Sequence, residues 1–249
     1  MASGLGFALA RQGINIMQVY NRTREKGRKL AASLGAAYIE DIHAIDPNAD
    51  LYILAIPDSA IENVSTGLHL KYQLVVHTSG SMDMKILSKA SGNTGVLYPL
   101  QTFSQRRRVN FRHIPLCLEA NSESGEKKLG ELAARLSGIV HYVNSDNRKI
   151  LHLAAVFSSN FTNFMVTIAE ELLLTHDMPF DLIKPIIRQT IRNIEHVPIF
   201  RNQTGPAVRG DEKVLDTHRE LLKEDPDYLE IYNVITNNII KYKSFHGKL

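Results

Sequence analysis

A doubly wound α/β sheet followed by an all-helical domain is the fold that this 249-residue sequence predicts. Three observations carry the prediction. Up to about Val143, short apolar runs of strand length alternate with helical stretches, the pattern of a mostly parallel sheet covered on both faces. After Asn144 the strand-like runs stop, and the remaining apolar segments have helical length and period, separated by turns bearing Pro or Gly. Between the halves lies a polar stretch, NSDNRK, which places a boundary near Ser145 and predicts domains at residues 1–146 and 147–249.

The elements follow in order. Met1 to Arg11 reads as a helix and Ile14 to Tyr20 as a strand that ends in Asn21-Arg22-Thr23. Thr23 is placed to cap a helix over Arg24 to Leu34. Strands are then expected at Ala36–Glu40, Asp50–Ile56, Gln73–His77, Gly95–Pro99, Ile114–Glu119 and Ile139–Val143. Pro57-Asp58 opens a helix over Ser59 to Val64, and Asn121-Ser122 opens one over Ser124 to Leu136. In the second part, helices are expected at Ile150–Leu174, Phe180–Glu195, Glu212–Lys223 and Tyr228–Lys241.

Composition narrows the function classes. With 44% hydrophobic and 22% charged residues this is an ordinary globular chain, long enough for one large core or two smaller ones. A net charge of +3 is too small to imply a polyanionic partner, and Arg106-Arg107-Arg108 reads as a solvated loop, so nucleic acid is not an expected partner. Cys117, between Leu116 and Leu118, reads as a buried strand thiol in a reducing compartment. No apolar run reaches the roughly 18 residues of a membrane span, and no basic residue precedes Leu5–Ala10 as in a secretory signal. The expected address is the cytoplasm, without a membrane partner.

In a doubly wound nucleotide-binding sheet, the first strand runs into a G-x-G-x-x-G/A turn, a helix follows, and the second strand ends on the residue that touches the adenosine ribose. Here the chain meets the helix first. That ribose-contacting residue lies about 20 positions beyond the turn, so counting back from Asn21 puts the last motif position at Ala2. The expectation is that the first strand and the first two motif glycines lie upstream of Met1; the alternative is a plain N-terminal helix. A central strand of about six apolar residues is worth roughly 1.5–3 kcal/mol per buried side chain, against a domain's net stability of about 5–15 kcal/mol. Without it the chain is expected to be marginal, or to leave an opening in the sheet between Ile14–Tyr20 and Asp50–Ile56.

Asn21-Arg22-Thr23 speaks to the nucleotide. A carboxylate at this point would accept the ribose hydroxyls and repel a 2′-phosphate, whereas Arg22 binds such a phosphate through paired charge-assisted hydrogen bonds and Thr23 donates from the next helix. Arg24 and Lys26 would add attraction. These residues predict NADP rather than NAD; the alternative is a surface arginine in a capping turn. Two further strand ends fit the same cleft: Ile56-Pro57-Asp58, and His77-Thr78-Ser79-Gly80. The first also reads as a helix cap, the second as a plain turn. Pro99 and Gln101, in Tyr98-Pro99-Leu100-Gln101-Thr102, are candidate substrate contacts.

NRT, AIPDS, HTSG, YPLQTFS, LHLAAVFSSNFTNF and TGPAVRGD together resemble the bacterial Rossmann-like NADP oxidoreductases that carry an uncharacterised helical C-terminal domain. These are distant relatives of pyrroline-carboxylate reductase and of the deazaflavin-dependent NADP oxidoreductases. The resemblance covers nearly the whole chain and implies a Rossmann domain, an NADP site and a homodimer formed through the helical domain. It brings no established substrate. The sequence departs from the family in having no counterpart of the first strand and its glycine-rich turn before Met1.

In the long helical run, Lys149, His152, Asn160 and Asn163 recur three or four residues apart once Val156 is counted, so one face is expected to carry them. A polar stripe in so apolar a helix needs partners, which a cleft holding cofactor and substrate would supply. His152 is the candidate proton donor or acceptor, with Lys149 on the same face and Asn160 and Asn163 as orienting groups. The alternative is a satisfied core histidine with asparagines bonding between helices. In the turn-rich TGPAVRGD loop, Arg209 is a candidate clamp for a substrate carboxylate or phosphate, paired with Asp211 when empty. Asp211 reads equally as the cap of the next helix, on which His218 lies. The ten histidines show no H-x-x-x-H or Cys/His ligand spacing, so no metal is predicted, and no G-x-S-x-G elbow points to hydrolysis. The sequence therefore supports hydride transfer between NADP and a small carbonyl or imine compound, with two rivals: an NADP-binding sensor without turnover, and a fragment that no longer binds nucleotide.

Overall fold

The structure is a computed structural model and describes residues 1–103, 109–196 and 202–246. The Arg106–Arg108 run lies outside the described residues. Helix α1 (Ala2–Arg11) leads into β1 (Gln18–Tyr20), α2 (Arg24–Leu34), β2 (Ala37–Ile39), β3 (Leu51–Leu54), α3 (Asp58–Gly67), β4 (Leu74–His77) and β5 (Asn93–Pro99). Then come β6 (Leu116–Ala120), α4 (Glu123–Leu136) and β7 (Val140–Tyr142).

These strands form two ladders. The pair β1–β2 is parallel, and β3–β4–β5–β6–β7 make a second sheet in that order, parallel except where β6 returns antiparallel to β5. Among the described residues nothing pairs β1 with β3, so the sheet carries the expected opening at that point. β1 is shorter than the apolar run Ile14–Tyr20 predicts, because its partner β2 supplies only three residues to pair with. Ile14 and Ile16 pack instead against the core.

Period-two alternation distributes the side chains. Leu74 and Val76 of β4, Leu97 of β5, and Leu116 and Leu118 of β6 face Leu5 and Leu9 of α1 and Leu129 and Ala133 of α4. Tyr52, Leu54 and Val75 point to the opposite face, against Ile61 of α3 and Leu87. Val96, Tyr98 and Cys117 form a smaller cluster. Cys117 is the buried strand thiol expected, and burial pushes its pKa up.

Beyond β7 the chain is helical. Helix α5 (Ser145–Ala155) passes through a π-helical segment, Val156–Phe161, into α6 (Thr162–Thr175), followed by α7 (Lys184–His196), α8 (Pro206–Arg209), α9 (Glu212–Leu221) and α10 (Pro226–His246). Two compact units result, Met1–Phe161 and Thr162–Leu249. Helix α5, expected in the helical domain, packs with the sheet: its Arg148 and Ser145 bond Glu119 of β6, and Leu151 joins the cluster around Tyr98. No described helix is long and apolar enough to cross a membrane.

Candidate functional site

The carboxyl ends of the parallel strands gather most of the candidate cofactor residues. After β1, Asn21 bends back on itself: its side-chain oxygen accepts the Thr23 amide at 2.8 Å, closing an Asx-turn. Thr23 occupies the N-cap position of α2, but its side chain makes no capping bond. Gly27 lets Asn21 and Tyr38 close over the first turn of α2, where a Cβ would lie 2.4 Å from the Tyr38 ring and 2.9 Å from Asn21 Cβ. Arg24, expected to add attraction for a phosphate, is neutralised by Glu40 at 2.7 Å, and Arg28 shares that carboxylate at 3.1 Å. Arg22 is exposed and has no ion pair among the described residues.

After β3, Ile56 and Pro57 lead to Asp58, the first residue of α3, whose carboxylate accepts the Ser81 hydroxyl at 2.5 Å. After β4, His77 is fully buried and its Nδ1 accepts the Ser79 amide at 3.1 Å. Burial first, and the nearby Arg148 charge second, push the His77 imidazole down to about 4. Thr78 hydroxyl reaches the Leu54 carbonyl at 3.4 Å, and Ser79 Oγ accepts the amides of Ser81 and Met82, both at 3.1 Å.

Gly80 is where this turn meets α5. Tyr98, near the end of β5, places its hydroxyl 3.1 Å from His152 Nδ1, with the rings edge to face. A Cβ on Gly80 would sit 2.7 Å from both His152 Nδ1 and Tyr98 Cζ, so no larger residue fits between turn and rings. One turn before His152 on α5 lies Arg148, fully buried. The Arg148 guanidinium bonds the Glu119 carboxylate, the Met82 carbonyl at 2.6 Å and Ser145 Oγ at 3.1 Å. Ser145 in turn donates its amide and hydroxyl to Glu119 at 2.9 and 2.8 Å and accepts the Met84 amide at 3.0 Å.

Chain comparison identifies the arrangement. Residues 114–239 match the family model described as a domain of unknown function (DUF2520), and residues 1–80 match the model described as NADP oxidoreductase, coenzyme F420-dependent. The crystal structure of putative NADP oxidoreductase BF3122 from Bacteroides fragilis is 40% identical, with a TM-score of 0.89 over 96% of this chain and 94% of that one. The chain belongs to the family of Rossmann-type NADP oxidoreductases that carry the DUF2520 domain. Protein TM1727 from Thermotoga maritima shares the fold at 23% identity and a TM-score of 0.76, covering 97% of this chain and 96% of that one. So does an imine reductase from Myxococcus stipitatus crystallised with NADP+, at 15% identity and 0.67, covering 99% and 92%. No curated protein matches the chain.

The residues present fit the cofactor of this oxidoreductase family. No carboxylate stands at the end of β1, and among the described residues the exposed Arg22 there has no ion pair, which suits a 2′-phosphate. The other candidates are distributed as follows. Pro99 is buried, and the exposed Gln101 turns its Oε1 onto the Thr102 amide. Lys149 pairs with Asp146 at 3.2 Å and Asp83 at 3.7 Å. The expected polar stripe does not run on unbroken: the π segment changes the residues per turn between His152 and Asn163. Ser159, rather than Asn160, meets Thr102, hydroxyl to hydroxyl at 3.0 Å. Asn160 and Asn163 are exposed.

In the second unit, Asp211 caps α9 by accepting the Val214 amide, and among the described residues it forms no ion pair with the exposed Arg209. The capping reading of Asp211 therefore describes its contacts. His218 lines a largely apolar cavity of about 340 Å³ in that unit, with Nδ1 2.9 Å from the Tyr232 hydroxyl. Tyr98, Ser81, Glu119 and Arg148 are not among the site residues the sequence suggests. Only Tyr98 had a local signal, its place at the end of a strand that runs into the cleft.

Proposed function

We propose that the protein catalyses hydride transfer between NADP and a small carbonyl or imine compound. The observation that carries this reading is the position of His152, set over Gly80 in the turn after β4, where Ser81 bonds Asp58 beyond the end of β3. Ligands of open α/β sheets bind outside these carboxyl ends. The nicotinamide supplies the hydride chemistry when bound. Arg22 would hold the 2′-phosphate, and His152 moves a proton to or from the substrate oxygen or nitrogen. Lys149, Asn160, Gln101 and Pro99, all in the same unit as His152, complete the reading as groups around the substrate.

The assay is NADPH oxidation across a panel of small aldehydes, ketones and cyclic imines. For a substrate that turns over, His152→Gln is expected to lower kcat by about 10²–10⁴ while the NADPH dissociation constant stays within about twofold. Unchanged turnover would remove His152 from the chemistry. Tight NADPH binding with no turnover on any member would favour a nucleotide sensor. Arg22→Ala is expected to weaken NADPH about tenfold or more and to leave NADH nearly unaffected; calorimetry showing equal weakening of both would dismiss the 2′-phosphate assignment.

A homodimer through the helical unit belongs to the same reading. Leu174, Leu182, Ile186, Ile191 and Val234 are exposed there, apolar side chains that a second copy would cover. A reduced cytoplasmic location agrees with the one buried thiol.

A further inference from the structure

We infer that Tyr98 is the positioning residue for His152, fixing the imidazole through Nδ1 so that Nε2 is the atom offered to substrate. The inference rests on the proposed role of His152 and adds the group that sets its tautomer and aim.

Tyr98 is 8% exposed and packed in the cluster of Val96, Cys117 and Leu151. Among the described residues its hydroxyl makes one hydrogen bond, to His152 Nδ1 at 3.1 Å. A phenol has one hydrogen to give and lone pairs to receive. Burial pushes the Tyr98 phenol up; Cys117 and Asp58 reinforce this and Arg148 opposes it, so the hydrogen stays on the oxygen at neutral pH. Facing a neutral imidazole, the hydroxyl donates to Nδ1, and the ring proton is left on Nε2. When the ring takes a second proton from water, Nδ1–H donates to the phenol oxygen instead, and the hydroxyl turns to permit it. The Nε2–H bond can then break toward a substrate nitrogen or oxygen, leaving a neutral ring with its remaining proton still held by Tyr98. Phenylalanine at this position would fill the same space and lose both roles.

Gly80 makes the geometry possible. A methyl group there would lie 2.7 Å from both the Tyr98 ring and Nδ1, prising the pair apart without removing either functional group.

The test reads the ring directly by nitrogen-15 NMR of the full chain at about pH 9, above the ordinary histidine range. The His152 signals are identified by their loss in His152→Gln. The wild type is expected to carry its proton on Nε2, with an Nδ1 resonance displaced by the hydrogen bond it accepts. Tyr98→Phe and Gly80→Ala should both move that Nδ1 resonance downfield, and Tyr98→Phe should lower kcat about tenfold with KM for NADPH unchanged. A wild-type ring protonated on Nδ1, or an Nδ1 signal that neither variant moves, would overturn the inference. Should Tyr98→Phe fail to fold, Gly80→Ala reads the same bond. If the NMR result holds while His152→Gln keeps full turnover, the proposed role of His152 is the part that fails.

Discussion

Glu119→Ala is expected to lose about 3–5 kcal/mol of stability, enough to unfold a large fraction of the chain at physiological temperature. The cause is what the substitution leaves behind. Arg148 is fully buried, and Glu119 is its counter-charge. Without the carboxylate, the guanidinium would keep only the Met82 carbonyl and Ser145 Oγ, two neutral acceptors, for a positive charge removed from water. Ser145 would lose the acceptor for its amide and hydroxyl as well. Urea unfolding of Glu119→Ala measures the loss, and the double variant Glu119→Gln with Arg148→Met should recover most of it, since it removes both buried charges while a Gln oxygen can still accept from Ser145. A midpoint within experimental error of wild type would show that the charge finds water and that the network is ornamental. The consequence reaches function, because this network ties α5 to β6 and to the turn at Met82–Met84. His152 sits one helical turn beyond Arg148, so loosening the anchor should withdraw it from Gly80 before the sheet itself melts.

The network also marks where sequence reasoning stops. Strands β3 to β7 were legible because short apolar runs of strand length alternate with helical stretches, and α2 and α4 because charged faces bracket apolar ones between a cap and a break. The turn at His77–Gly80 was legible as a strand end. What Gly80 is for was not, since the rings that need its missing side chain come from 18 and 72 residues away. Arg148 was passed over for Lys149, its neighbour, for a related reason: one position along a helix is about 100°, and only the tertiary fold decides which of two adjacent cations is buried against a carboxylate 29 residues earlier. The polar stripe was counted on a constant 3.6-residue turn, whereas Val156–Phe161 is π-helical, so Asn160 and Asn163 are not spaced from His152 as on a regular α-helix. Thr23 takes the N-cap position its residue type predicts but makes no capping bond, and the local side-chain bond goes instead from the Thr23 amide to Asn21.

His77 leads to the second large effect, an acid limb in the stability of the fold. Its imidazole is buried at the end of β4, between Leu54 of β3 and Val96 of β5, with Nδ1 committed to the Ser79 amide and Arg148 close enough to repel a second positive charge. The ring therefore stays neutral down to about pH 4 in the folded chain, while in the unfolded chain it protonates near its ordinary value of about 6.5. Between those values the unfolded state binds more protons, so stability rises with pH and is lost on acidification. The gap of roughly two and a half units corresponds to about 3 kcal/mol lost between pH 7 and pH 4 from this one group. Carboxylates held down by their partners, such as Asp83, titrate lower still and contribute mainly below that window. His77→Asn separates the two, because an amide oxygen can still accept the Ser79 amide and does not titrate. Denaturant unfolding at a series of pH values should show wild type falling by about 3 kcal/mol more than His77→Asn across the window. Parallel curves would mean that His77 protonates in place, and that the strand end and its turn open to water far more readily than their burial implies.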